Sequence, residues 1–267
     1  MVHSTHEQPR VLLHSTDHHA PRIPHLIRVY GDSLSLPRAS DGIAYDDTYP
    51  EIVRRQLAIW AETPIALYNR SYGGATIADL KRVCDYDSTY FGDIDEIVIL
   101  QLGIVDCAPR PLGPTLRYFV GRLPYRIKHK TIRFLHNNRA KILRAGLGSR
   151  FTSPTTFEKL YREWLRTICQ RRSVVYILNI APTLPHIEEH SPGLMASIRL
   201  YNATISTLVS EIPANRPILI DVHEAIMSLG AARCIHPDDG HHITSTGHRL
   251  YADLILAEER KRLGLSC

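Results

Sequence analysis

The sequence predicts an α/β protein with a parallel sheet covered by helices on both faces, and three observations carry that prediction. Apolar, β-branched runs alternate with stretches of helical period along most of the chain. The central runs, EIVILQL (96–102) and VVYILNI (174–180), are nearly unbroken, as strands buried on both sides must be. No internal repeat or low-complexity linker divides the 267 residues, a length that one large core can occupy.

In order, the expected strands are 27–30 (IRVY), 65–69 (IALYN), 96–102, 174–180 and 217–222 (PILIDV). The first ends abruptly at Gly31-Asp32, a pair that lets a chain turn sharply. Helical period appears at 47–60, 76–84, 156–171, 195–210 and 245–263. Thr155 and Thr156 precede an acidic first turn at Glu158, and Ser245 or Thr246 can cap the last helix.

Hydrophobic content of 44% and charged content of 22% are those of an ordinary globular chain. The longest apolar runs, 97–105 and 174–181, are too short to cross a bilayer. Residues 1–25 show no basic start followed by an apolar core, so no secretory signal is read there. That segment holds six of the fifteen histidines without ligand spacing, and a poorly ordered arm is expected, followed by a single domain over 26–267. Five cysteines, at 84, 107, 169, 234 and 267, are odd in number and lack a CxxC pair, which favours reduced thiols and a cytoplasmic setting.

In an open parallel sheet, ligands sit beyond the carboxyl ends of the strands. The loops that follow the strands are 31–38, 70–76, 103–112, 181–193 and 223–244. The first contains Gly-Asp-Ser-Leu, with Ser33 at the tip of its strand. A serine hydroxyl is a weak nucleophile until an imidazole takes its proton, and the imidazole needs an anion to hold its tautomer. The last loop offers both in HPDDGHHITSTGH, where Asp239 and His242 have D-x-x-H spacing. The bland alternative for Ser33 is a turn serine. Asp221 and His223 form a competing pair that would share one strand face. The cluster His236, Asp238, Asp239, His241 and His242 has enough donors for zinc, but crowding within seven residues does not supply a closed tetrahedral site. No metal or other cofactor is expected.

Four blocks resemble the GDSL, or SGNH, hydrolase family. They are GDSL with Ser33, NRSYGGATIADL (69–80) with Gly74, LQLGIVD (100–106), and DGHHITSTGH with Asp239 and His242. They stand in the family's order and span residues 27–255. The resemblance implies a flavodoxin-like three-layer sandwich with five parallel strands. It also implies acyl transfer through an ester on Ser33, with His242 as base then acid and Asp239 orienting it. The backbone N–H groups of Ser33 and Gly74 would hold the oxyanion.

The family's third oxyanion donor, an asparagine in G-x-N-D, is missing, because this chain reads Gly103-Ile104-Val105-Asp106. Losing one such donor typically costs about 2.7–4 kcal/mol of transition-state stabilisation. Asn69, Gln101 and Arg110 are the nearby polar side chains that could replace it, and Asp32 and Asp106 are further candidates for substrate support. For Asp106, capping the following helix or pairing with a nearby arginine is the plainer expectation.

From Arg110 to Arg150 inclusive there are eleven Lys or Arg residues and no Asp or Glu, within a chain of net charge +5. This basic helical insert, at about 108–153, leaves the expected active-site edge of the sheet. An anionic membrane surface, an acidic glycan or a phosphate-linked carrier lipid would suit it, whereas no nucleic-acid motif is present. The plain alternative is a packed helical pair with solvated charges. The expected function is a serine hydrolase acting on an O-acyl ester of a sugar, glycan or lipid-linked substrate. The alternatives are an O-acyltransferase using the same intermediate, or a catalytically weak scaffold marked by Val105.

Overall fold

The structure, a computed structural model, describes residues 22–91, 96–171, 173–213 and 217–265. Most of the expected arm at 1–25 lies outside them. Its tail is docked, with Ala66 N donating to the His25 carbonyl at 2.9 Å and Arg262 donating to the Arg22 carbonyl at 2.9 Å.

Five strands form the main sheet: β1 (Leu26–Gly31), β2 (Ala66–Asn69), β3 (Glu96–Gln101), β6 (Ser173–Leu178) and β7 (Pro217–Ile220). Their order is β2-β1-β3-β6-β7, and every pairing is parallel. The alternation of side chains along β1 explains the two cores. Ile27 and Val29 pack with Tyr49, Val53 and Leu57 of α1 (Tyr49–Ala61) and with Tyr251 and Ile255 of α12 (Ser245–Leu263). Tyr30 faces the other way, into a core with Leu80 of α2 (Ile77–Phe91), Trp164 of α7 (Pro154–Cys169) and Ile205 of α9 (Leu194–Ser210). The result is the expected α/β/α sandwich.

Boundaries differ where polar caps compete with the apolar pattern. The last strand stops at Ile220 rather than 222, because the Asp221 carboxylate accepts from Glu224 N at 3.0 Å and starts α10 (Val222–Leu229). Pro154 opens α7, so the cap is Ser153, ahead of the expected threonines, accepting from Thr156 N at 3.2 Å. Thr244, ahead of Ser245, caps α12.

Within the segment between β3 and α7 lie α3 (Ile104–Cys107), α4 (Pro114–Gly121), α5 (Tyr125–Asn137) and α6 (Arg139–Arg144). A two-residue antiparallel ribbon of β4 (Pro109–Arg110) and β5 (Ser149–Arg150) ties the entrance of the basic insert to its exit. Cys84, Cys107, Cys169 and Cys234 are buried. No helix among the described residues is long and apolar enough to cross a membrane.

Candidate active site

Ser33 leaves the end of β1 on a single 3₁₀ turn, Ser33–Ser35, which Asp32 caps by accepting from Leu34 N at 2.9 Å. Burial pushes the Asp32 carboxyl up to about 7. Behind the turn, the Ser35 hydroxyl donates to Gln101 Oε1 at 3.0 Å and receives Tyr49 OH at 2.7 Å. This closeness requires glycine at position 31, because a Cβ there would lie 2.2 Å from Ser35 Oγ. The sharp turn therefore fixes the position of Ser33.

His242 sits in a loop closed by the Ile235–Ile243 bridge and by His236 N donating to the His242 carbonyl at 2.7 Å. Its Nε2 is 2.8 Å from Ser33 Oγ, and its Nδ1 is 2.7 Å from Asp239 Oδ2. The partners assign the tautomer: Nδ1–H donates to the carboxylate, which leaves Nε2 to accept the serine proton. Asp239 Oδ1 also receives the backbone N–H groups of His242 at 2.9 Å and His241 at 3.1 Å. Burial opposes its charge, yet these donors and the two imidazoles hold the carboxyl well below the usual range. Burial pushes the His242 imidazole below its ordinary value, and His241 beside it adds to that shift.

The neighbouring residues do other work. The Asp238 side chain is 89% exposed, and His241 Nδ1 contacts the Asp239 carbonyl at 2.8 Å. Arg38 is the member that sequence reading missed. Its guanidinium lies 3.0 Å from Asp239 Oδ2 and 2.7 Å from Asp41. Asp239, His241 and His242 bring donor atoms within 4.8 Å of one another. However, the Asp239 carboxylate already serves the imidazole and the Arg38 cation, an arrangement that repels a metal ion.

The rival pair at positions 221 and 223 separates. The strand ends before it, Asp221 accepts from Asn179 Nδ2 at 2.8 Å, and His223 Nδ1 meets the Ile180 carbonyl at 3.1 Å. His248 is buried in α12, where its Nδ1 accepts from Tyr49 N at 3.2 Å.

Ser33, Gly74, Val105, Arg110 and Asp239 line one cavity of about 500 Å³. Among the described residues, the N–H groups of Ser33 and Gly74 have no hydrogen-bond acceptor, so both remain available. Gly74 has φ +79°, a left-handed conformation that favours glycine. Of the candidates for the third donor, Asn69 is committed: Nδ2 donates to the Ser35 carbonyl at 3.0 Å and Oδ1 accepts from Ser71 N at 3.0 Å. Gln101 braces Ser35, as described. Asp106 is buried and accepts from Ile77 N at 3.1 Å and from the Thr152 hydroxyl. It thereby caps α2, the helix before it in sequence, and fastens the exit of the insert. Burial pushes its carboxyl up to about 7. Arg110 differs. Among the described residues its guanidinium makes no hydrogen bond or ion pair, and its Nε is fully buried.

No family model and no curated protein matches the sequence. Solved structures do share the fold. An alpha/beta hydrolase from the metagenome of Lake Arreo aligns at TM-score 0.60 and 18% identity, over 91% of this chain and 98% of its own. A lipase/acylhydrolase from Enterococcus faecalis aligns at TM-score 0.60 and 15% identity, over 89% and 96%. An acetylxylan esterase from Geobacillus stearothermophilus aligns at TM-score 0.58 and 15% identity, over 93% and 98%. At these identities the likeness establishes the architecture: the chain is similar to these proteins across nearly its whole length, as a five-stranded parallel sheet between two helical layers.

Proposed function

We propose that the protein is a serine esterase of the SGNH type, and one observation carries the reading. The Ser33–His242–Asp239 chain, at 2.8 and 2.7 Å, opens into a cavity that also holds two unengaged backbone N–H groups. His242 Nε2 takes the Ser33 proton as Oγ attacks the ester carbonyl. The negative oxygen then lies against the N–H groups of Ser33 and Gly74. Collapse expels the alcohol, protonated by His242, and leaves an acyl group on Ser33. Water, deprotonated by the same imidazole, releases the acid.

The printed names of the structural neighbours, an acetylxylan esterase and a lipase/acylhydrolase among them, agree with ester chemistry. The substrate class carried forward is an O-acyl ester on a sugar, glycan or lipid-linked alcohol. The test is turnover of p-nitrophenyl acetate, which Ser33→Ala should reduce at least about 10³-fold. Turnover equal in the mutant would sink the esterase reading and favour a scaffold. Added sugar alcohols that appear as acyl esters among the products would convert the reading to acyl transfer.

The outer side of the insert supports one partner, an anionic bilayer surface. Tyr118, Phe119, Tyr125 and Phe134 are exposed there among Arg122, Arg126 and Arg133. Sedimentation with vesicles containing phosphatidylserine, but not with neutral vesicles, is the expected result. Equal recovery with both would remove the membrane from the account.

A further inference from the structure

The catalytic cavity continues past Val105 into a second chamber of about 500 Å³. Gly74, Val105, Arg110, His136 and Arg139 line both, so they form the neck between the chambers. Beyond the neck the walls are mostly apolar, with Leu112, Val120, Ile132, Leu135 and Phe151. The neck itself is cationic and unbalanced. Burial, followed by the Arg117 charge, pushes the Arg110 guanidinium down, and burial followed by the Arg110 charge does the same to Arg139. Arg139 is held by neutral acceptors, the Ser191 hydroxyl at 2.8 Å and the Pro109 carbonyl. No carboxylate occurs from 107 to 157. Asp106 and Asp239 are already engaged by Thr152 and Ile77 N and by His242 and Arg38.

A half-buried cation whose Nε is fully buried and has no counter-charge is costly, and a chain that only needed packing at position 110 would use an apolar residue. The β4–β5 ribbon fixes Arg110 at this point, with its backbone paired to Ser149. We propose that the neck binds an anionic group of the substrate, a phosphate or a carboxylate, with Arg110 as its principal contact and the apolar chamber taking the group attached to it. A planar guanidinium with free N–H groups suits either anion. The inference names the substrate class for the esterase reading and rests on that reading: an anionic amphiphilic ester whose scissile carbonyl reaches Ser33.

The test measures binding, independent of turnover. Hexyl phosphate, hexanoate and hexan-1-ol are titrated calorimetrically into the full-length protein and into Ser33→Ala at constant ionic strength. At least one anion should bind about tenfold more tightly than the alcohol in both proteins, and the tighter of the two identifies the group. Arg110→Gln should remove that preference, Arg110→Lys should keep part of it, and Lys141→Gln, exposed on α6, should leave it unchanged. Thermal unfolding checks that each variant is folded, and Arg110→Lys decides the matter if Arg110→Gln is not. An alcohol that binds as well as both anions, or an Arg110 variant that binds them like wild type, overturns the proposal. Failure of the esterase reading would instead appear as missing turnover with anion binding intact.

Discussion

Arg28, fully buried in the middle of β1, and Arg110, half-buried at the neck of the insert, have opposite surroundings. Arg28 is fully buried with Glu96 at 2.9 Å and Asp87 at 3.9 Å, and Asp87 also accepts from Arg70 at 2.7 Å and from Tyr30 OH at 3.0 Å. Arg110 has no carboxylate partner among the described residues and has the Arg117 and Arg139 cations near it. Inside the sheet the charges are balanced by the chain itself, so they serve the fold. At the carboxyl edge the balance is left open on the side that faces the cavity. The Asp239 carboxylate follows the same logic, since hydrogen-bond donors and the Arg38 guanidinium hold it anionic beside His242. What the fold needs is matched internally, and what a ligand is to supply is left unmatched.

The largest expected effect lies at that edge. Asp239→Asn removes the acceptor that fixes the His242 tautomer and should lower kcat by about 10⁴-fold with little change in unfolding temperature. Stability should respond in the opposite pattern. Asp87→Asn takes the carboxylate from Arg70, leaves Glu96 as the counter-charge of Arg28, and should cost about 3–5 kcal/mol, read by urea denaturation. Arg110→Gln removes an unmatched cation, so its stability should be unchanged or higher in the same assay. Equal destabilisation by both would erase the contrast between the two arginines.

Smaller effects sharpen the comparison. Only neutral His242 can accept the serine proton, so activity should rise with pH through its titration. Burial shifts that titration below the ordinary histidine value of about 6.5, so the plateau should be reached by neutrality. A midpoint above 6.5 would contradict the buried imidazole. Arg38 also disfavours the imidazolium, so Arg38→Gln should move the acid limb of the kcat/KM profile to higher pH. A lower kcat with an unmoved limb would reduce Arg38 to a structural brace.

Much of this was legible in the sequence, for identifiable reasons. Strands β3 and β6 are covered on both faces, so their apolar runs announced them. Ser33, Asp239 and His242 were legible because a tight turn and a D-x-x-H loop are local patterns. The fates of Asn69 and Gln101 were not, since each side chain is claimed by Ser35, a residue distant in sequence. Asp221 looked like strand until its capping bond was seen. Arg38 gave no signal, because a cation in a polar loop has no period and its partner lies about two hundred residues away. The placement of Arg110 depends on a ribbon of two residues per strand, too short for any pattern to register.

The central claim, a nucleophilic Ser33 activated by His242, is tested most directly by a fluorophosphonate probe and peptide mass spectrometry. A single adduct on Ser33, absent from Ser33→Ala and slowed at least about 10³-fold in His242→Ala, is the predicted result. A folded wild-type protein that takes no label, or takes it on another residue, would contradict the claim.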